Sequence, residues 1–309
     1  MVQEKIIIGE NTNHPLNGIL TLPDNIDKPV PAIVLVHGSG PSNMDEKVGK
    51  LTPFKDLAEG LANRGIAVIR YDKRTYVHKK QFIKKADISV KEETIEDAIL
   101  ATELLRKDCR IDADKIFIAG HSMGGMLAPR IDAEGGNYKG LILLAGSPRK
   151  LEEILIEQNE EVLKSVNKLL KWIIKRQIKK LSAKFDIMYD LTDEEAKKTS
   201  LMFGNSTKLY YFKEMGEHSS LNYLKDLNKP MLIMQGDKDF QVSVERDFNL
   251  YKEILKDKAN VTFKLYENLN HAFVPSVYGN IMKARKEYSV EQHICDYVID
   301  DIKAWVLAQ

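Results

Sequence analysis

The chain has 309 residues, 43% of them hydrophobic, enough to bury a sizeable core in one large domain or two ordinary ones. Its 46 basic and 45 acidic residues leave a formal charge of +1, which gives no global case for a nucleic-acid or acidic partner. Two cysteines, Cys109 and Cys295, cannot build a disulfide framework and read as reduced thiols of a cytoplasmic protein.

The opening stretch MVQEKIIIGE carries no apolar h-region and no small-residue cleavage site, and no segment approaches the roughly 18 apolar residues of a span. No stable membrane insertion is expected. The runs Lys5–Ile8 and Gly18–Leu22 lie close together with no helical pattern between them, so the chain should start with antiparallel strands. Ala32–Val36 is apolar at consecutive positions, as suits a parallel strand covered on both faces, and it ends in His37-Gly38-Ser39-Gly40. Helical patterns over Phe54–Asn63 and Lys91–Lys107 alternate with strand runs at Ala67–Tyr71 and Lys115–Ala119. A helix over Met123–Glu134 and a strand over Leu141–Ala145 continue the series. Alternation of this kind predicts an α/β fold with a mostly parallel, twisted sheet flanked by helices.

The alternation stops after Pro148. Residues 149–229 show no strand pattern; LEEILIEQNEEVLKSVNKLLKWIIKRQIKKLSAKF reads as long, charged and helical, and Thr192 with Glu195 reads as a capping box. Strands resume at Met231–Gln235 and Thr262–Tyr266, with helices over Val244–Lys256 and Val290–Leu307. The division is therefore a core of residues 1–148 and 230–309, with 149–229 inserted as a helical cap. No internal repeat interrupts this reading.

Between Lys115–Ala119 and the helix after it stands Gly120-His121-Ser122-Met123-Gly124-Gly125. A strand that turns at once into a helix lifts one side chain out of the sheet. Glycines keep that corner clear, and the helix N-terminus supplies free N–H groups to a developing negative charge. Ser122 is thus the candidate nucleophile; the competing view is a glycine-rich turn in which it only caps the helix. A serine hydroxyl needs a histidine base, itself held by a carboxylate. Of the seven histidines, His271 sits in a loop just after a strand, whereas His293 falls inside the final helical pattern and His121, adjoining Ser122, should point away from it. His271 as base implies a rate rising with pH over the ordinary imidazole range, roughly 6–7. The carboxylate should follow the preceding strand, where GDKD offers Asp237 and Asp239; turn capping would account for either.

These segments, in the order Ser, Asp, His, resemble the α/β-hydrolase superfamily. HGSGP, RYDKR at Arg70–Arg74 and QGDKDFQV are most similar to bacterial carboxylesterases related to the dienelactone-hydrolase and prolyl-oligopeptidase-type branch. The resemblance covers both flanks of the chain and leaves the insert unmatched. It implies Ser122 as nucleophile and His271 as base. Asp239 becomes the orienting acid, because Gly236, Asp239 and Val242 fit the family's Gly-x-x-Asp-x-x-Val while Asp237 falls on a variable position. It implies an oxyanion hole from the backbone N–H of Met123 and one from the His37–Gly40 loop, Ser39 in preference to Gly40. It also implies acyl transfer without cofactor or metal, on a small-molecule ester of small to medium acyl or aromatic, including cinnamoyl-type, acids.

Alternatives to a carboxylesterase are an oligopeptidase-like serine peptidase acting on short peptides or amino-acyl amides, and a binding protein that keeps the fold without the chemistry. A phosphate-binding reading of HGSG fails for want of the Lys-Ser/Thr of a P-loop. A homodimer is compatible with all of these. Within the insert, VLKSVNKLLKWIIKRQIKKL is basic and amphipathic. Its apolar residues Leu169, Trp172 and Ile173 are expected to roof the site, in competition with a basic face lying on an anionic membrane, and the acidic Glu152–Glu161 stretch is placed to neutralise it locally. Phe203, Tyr210, Tyr211 and Phe212 are expected to face the pocket or to form the insert's own core.

Overall fold

In the computed structural model, which describes residues 1–82, 85–201 and 207–309, eight strands form one sheet: β1 (Val2–Ile8), β2 (Leu16–Leu22), β3 (Val30–Val36), β4 (Ala67–Tyr71), β5 (Ile111–His121), β6 (Leu141–Leu144), β7 (Met231–Gly236) and β8 (Val261–Tyr266). Their spatial order is β1-β2-β4-β3-β5-β6-β7-β8. β1 pairs antiparallel with β2 and β2 with β4, while every pairing from β4 through β3 to β8 is parallel. All eight expected runs correspond to these strands, with the antiparallel start; only Ala145, expected to end the sixth, lies just beyond β6, with φ 48°.

The consecutive apolar residues of the central strands are explained by the two cores they separate. Val34, Val36, Ile69 and Ile118 point into one, against α2 (Glu96–Lys107) and α3 (Met123–Ile131). Ile33, Leu35, Val68, Phe117 and Ala119 point into the other, against α1 (Pro53–Ala62) and a C-terminal helix, Asp296–Leu307, that brings Val298, Ile302 and Trp305. Neighbouring residues on a strand face opposite sides of the sheet, so each alternate set fills one layer. The final helix starts later than the periodicity suggested. His293 is therefore not helical but exposed, with Nδ1 3.0 Å from Asp56 Oδ1.

Between β6 and β7 the chain leaves the sheet. There α4 (Leu151–Ser165), α5 (Lys168–Asp186), α6 (Asp193–Lys198) and α7 (Leu209–Glu217) pack around Leu181, Phe185, Met188, Leu209 and Phe212. The long helical stretch is two helices, broken at Val166–Asn167. Asn167 takes the N-cap of α5 and its side chain accepts from Leu170 N–H at 3.0 Å. The Thr192–Glu195 capping box of α6 forms with both reciprocal bonds. β6 and β7 pair directly, Leu141 opposite Met231, so the insert leaves and re-enters adjacent strands without disturbing their register.

Candidate active site

The C-terminal ends of β3, β5, β7 and β8 meet at one edge of the sheet, where open parallel sheets place their ligands. Ser122 stands at the end of β5 with φ 54° and ψ −117°, a conformation side-chain-bearing residues rarely take. The surroundings enforce it. Ser122 N–H donates to Leu144 O on β6 at 2.8 Å, and its own carbonyl accepts from Met126 N–H in α3. Two glycines let the helix close onto the strand: a Cβ on Gly120 would lie 2.1 Å from Gly124 O, and one on Gly124 2.2 Å from Val36 O. As the first residue of α3, Met123 has an N–H with no intrahelical acceptor.

Ser122 and Met123 share a cavity of about 470 Å³ with Ser39 and Gly40 of the β3 loop. The insert supplies part of its wall through Leu151, Ile154, Leu155, Tyr211 and Phe212. The expectation for α5 is not met: Leu169 is 71% and Trp172 61% exposed, Ile173 is also exposed, and none of the three lines the cavity. The reason is rotational. α5 turns Leu181 and Phe185 into the insert's core and leaves the residues of its first turns on the outer surface. Among the described residues, no ion pair joins the Glu152–Glu161 stretch to the basic side chains of α5. Its acids reach elsewhere, Glu157 to Arg149 and Arg246 and Glu152 to the Tyr189 hydroxyl. Tyr210 packs under Lys197 instead of facing the cavity, and Phe203 falls outside the described residues.

Beyond β7 and β8 the structure brings Asp239 against buried His271, with Nδ1 2.7 Å from Asp239 Oδ2. Because that oxygen is a carboxylate acceptor, Nδ1 carries the proton and Nε2 keeps its lone pair. The other carboxylate oxygen, Oδ1, accepts from the N–H groups of Gln241 and Val242 at 2.8 and 3.0 Å, which fixes the carboxylate plane. Asp237 does different work: Oδ1 accepts from Asn268 N–H at 2.6 Å and Oδ2 meets Lys238 Nζ, tying the β7 turn to the β8 turn. The two aspartates, which strand position left open and of which the resemblance chose Asp239, point in different directions.

A second layer of buried charge surrounds these groups, and periodicity gave no sign of it. His121 does diverge from Ser122. Its Nε2–H donates to His271 O at 2.9 Å and its Nδ1 lies 2.9 Å from Glu46 Oε2. Burial opposes a charge on His121, but the carboxylate of Glu46 outweighs it and holds the imidazole above its usual range. Burial likewise opposes ionisation of Glu46, and His121 outweighs that, so Glu46 lies below the usual carboxylate range. Glu46 Oε1 also accepts from Gly38 N–H at 2.7 Å. His37 is pushed down to about 4, chiefly by burial, and its Nε2–H donates to Asn43 O at 3.0 Å. Glu46 left no local signal. His121 carried one, its place inside the Gly-x-Ser-x-Gly corner.

Among the described residues no group of histidines, cysteines and carboxylates is placed to hold a metal ion. No helix among them is long and apolar enough to cross a membrane.

Comparison with known proteins agrees with this architecture. Esterase EstD of Thermotoga maritima is 34% identical over 296 residues, which is 96% of this chain and 66% of the longer relative. Est1E from Butyrivibrio proteoclasticus, whose structure is also known with bound ferulic acid, superposes with a TM-score of 0.58 at 16% identity, over 99% of both chains. The acylaminoacyl peptidase of Pyrococcus horikoshii superposes with a TM-score of 0.57 at 15% identity, over 98% of this chain and 41% of that one. At such identities the structural matches speak for the fold alone. The family described as "Serine aminopeptidase, S33" matches residues 27–275. With most of its length so matched, the chain belongs to this serine aminopeptidase family of α/β hydrolases.

Proposed function

We propose that the protein is a serine carboxylesterase that cleaves esters of small to medium acyl or aromatic acids through an acyl-enzyme. The observation that carries the reading is Ser122, held in a strained corner on the wall of a largely apolar cavity, with His271 locked by Asp239 in the tautomer a base requires. In this mechanism His271 Nε2 takes the Ser122 proton as Oγ attacks the ester carbonyl, and Asp239 stabilises the imidazolium that forms. The carbonyl oxygen, now an alkoxide, rests on the N–H groups of Met123 and Ser39. His271 then protonates the leaving alcohol, and water repeats the cycle to free the acid. The insert acts as a cap, its α4 and α7 side chains setting the room for the acyl or aromatic part.

The esterase relative supports this choice, as does the bound ferulic acid of Est1E for an aromatic acid. Against an aminopeptidase stands the charge of the cavity. An N-terminal ammonium needs a free carboxylate, and the one carboxylate among the described lining residues, Glu93, is already engaged by Lys73 and Tyr211. Lys79 and Lys85 at the same wall add positive charge, which repels an ammonium. The test is a panel of nitrophenyl esters from two to twelve carbons, methyl ferulate and an amino-acyl anilide, with Ser122→Ala beside the wild type. Ester turnover lost in the variant is the expected result. Turnover of the anilide alone, or ester turnover that survives Ser122→Ala, overturns it.

A further inference from the structure

Gly38 is gripped by charge on both sides. Its N–H donates to Glu46, and its carbonyl oxygen accepts from Lys73 Nζ at 2.8 Å. Lys73 is only 1% exposed. Its ammonium also meets Glu93 Oε1 at 2.8 Å, and Glu93 Oε2 in turn accepts from the Tyr211 hydroxyl at 2.7 Å. Tyr211 belongs to α7 of the insert, and the same hydroxyl lies 3.5 Å from Met123 Sδ. One chain of contacts thus runs from the insert through a buried ion pair to the loop that lines the cavity beside Ser122.

The carbonyl that Lys73 holds is half of a peptide whose other half is Ser39 N–H. The bond is trans, so the two dipoles point in opposite directions across one plane. Fixing the carbonyl on an ammonium fixes where the N–H points. A cation on the oxygen also polarises the peptide and makes its N–H a stronger donor. A buried ion pair is a weak source of stability, since an apolar pair of similar volume is often as good or better. Its position against this particular peptide therefore asks for another explanation.

We infer that Lys73 is a positioning residue of the oxyanion hole: it aims and polarises the Gly38–Ser39 peptide toward the charge that develops on the substrate, while Glu93 and Tyr211 hold its ammonium in place. The inference rests on the reading of Ser39 N–H as an oxyanion donor. Removing such a donor outright slows an enzyme roughly 10²–10³-fold. Loosening one should fall somewhat short of that.

The test uses the whole 309-residue chain and three variants: Lys73→Met, Lys73→Met with Glu93→Gln, and Ser122→Ala. Lys73→Met strands Glu93 without a cation and is the one at risk of not folding; the double variant removes both charges together and keeps the test decisive. The readouts are kcat and KM on nitrophenyl butyrate, the Ki of a trifluoromethyl ketone whose serine adduct carries an oxyanion, and the thermal midpoint. The expected result for the double variant is a kcat lower by roughly 30- to 100-fold, KM within about threefold of wild type, and a ketone Ki raised in step with the fall in kcat. A folded double variant whose kcat and ketone Ki both stay within about threefold of wild type overturns the inference, and so does a fall in kcat with unchanged ketone affinity. Ester turnover that survives Ser122→Ala sinks the catalytic reading itself. Its loss there, with an inert Lys73 pair, sinks only the inference.

Discussion

Replacing Asp239 by asparagine is close to isosteric, and the structure dictates which way the new amide must face. Oδ1 of Asp239 accepts two backbone N–H groups, from Gln241 and Val242. An amide nitrogen placed there would set donor against donor twice, so the asparagine oxygen must take that position. The NH2 then falls where Oδ2 now meets His271 Nδ1 at 2.7 Å. His271 can accept that bond only by moving its proton to Nε2, and a protonated Nε2 cannot take the proton of Ser122. The variant should keep its fold and, under the proposed mechanism, hold His271 in the tautomer that cannot act as base. The same change in Ser-His-Asp proteases lowers kcat by about 10⁴, which at about 1.36 kcal/mol per decade is about 5.5 kcal/mol of transition-state stabilisation. Steady-state kinetics on nitrophenyl acetate, with circular dichroism to confirm folding, measures it. Asp237→Asn is the internal control, because Asp237 contacts Asn268 and Lys238 and not the histidine; its kcat should stay within about threefold. A folded Asp239→Asn variant within tenfold of wild type, or an Asp237→Asn variant equally impaired, would refute the reasoning.

Three further outcomes are expected. Gly124→Ala puts a methyl group 2.2 Å from the Val36 carbonyl oxygen, a backbone atom that cannot swing aside, so α3 must back away from β3; thermal melts should show a loss of several kcal/mol, and a midpoint within 2 °C of wild type would show that the corner is looser than described. His37 is held near 4 in the fold against an ordinary value of about 6.5 unfolded, so the unfolded chain binds the extra proton between those limits. Its contribution is complete above about pH 6.5 and is lost as pH falls toward 4, by about 3 kcal/mol from about 2.5 pH units. Urea unfolding at pH 7 and pH 4 should therefore show a smaller acid loss in His37→Gln, whose amide can still donate to Asn43 O; equal losses in the two proteins would contradict the assignment. His121 has the opposite sign. Its raised value means that its pair with Glu46 stabilises the fold fully below about pH 6.5 and progressively less as pH rises through the folded value. The stability gap between wild type and His121→Gln should shrink toward alkaline pH, and a gap constant from pH 6 to 9 would rule the ion pair out as its source.

The central strands were legible because burial on both faces forces consecutive apolar residues, whereas the edge strands β1 and β8 are half exposed. The Ser122 corner was legible because backbone crowding leaves glycine as the tolerated neighbour at Gly120 and Gly124. Helix ends were less so: Val290–Cys295 keeps helical spacing yet lies outside the final helix, and the charged run through the insert hides the break that Asn167 makes. Periodicity also misplaced α5. Its apolar residues lie on more than one face, and only packing decides that Leu181 and Phe185 go inward while Leu169 and Trp172 stay out. Lys73, Glu93 and Glu46 were invisible for a deeper reason. A buried charge obeys no repeat, and its partners come from segments far away in the chain.

The insert divides the site in sequence as well as in space. His121 and His271, joined by a hydrogen bond, stand 150 residues apart. Ser122 is in place once β5 and β6 pair, but Asp239 and His271 follow only after the insert, with β7 and β8. Under the proposed mechanism, a chain emerging from the ribosome carries Ser122 long before the base and acid that would activate it, and stays without ester hydrolysis until the edge strand β8 docks. Pairings across such separations form slowly, because the loop entropy is lost before the contacts are gained. Recovery of ester hydrolysis after dilution from urea should consequently lag behind recovery of secondary structure, which makes turnover itself a clock for the last step of folding.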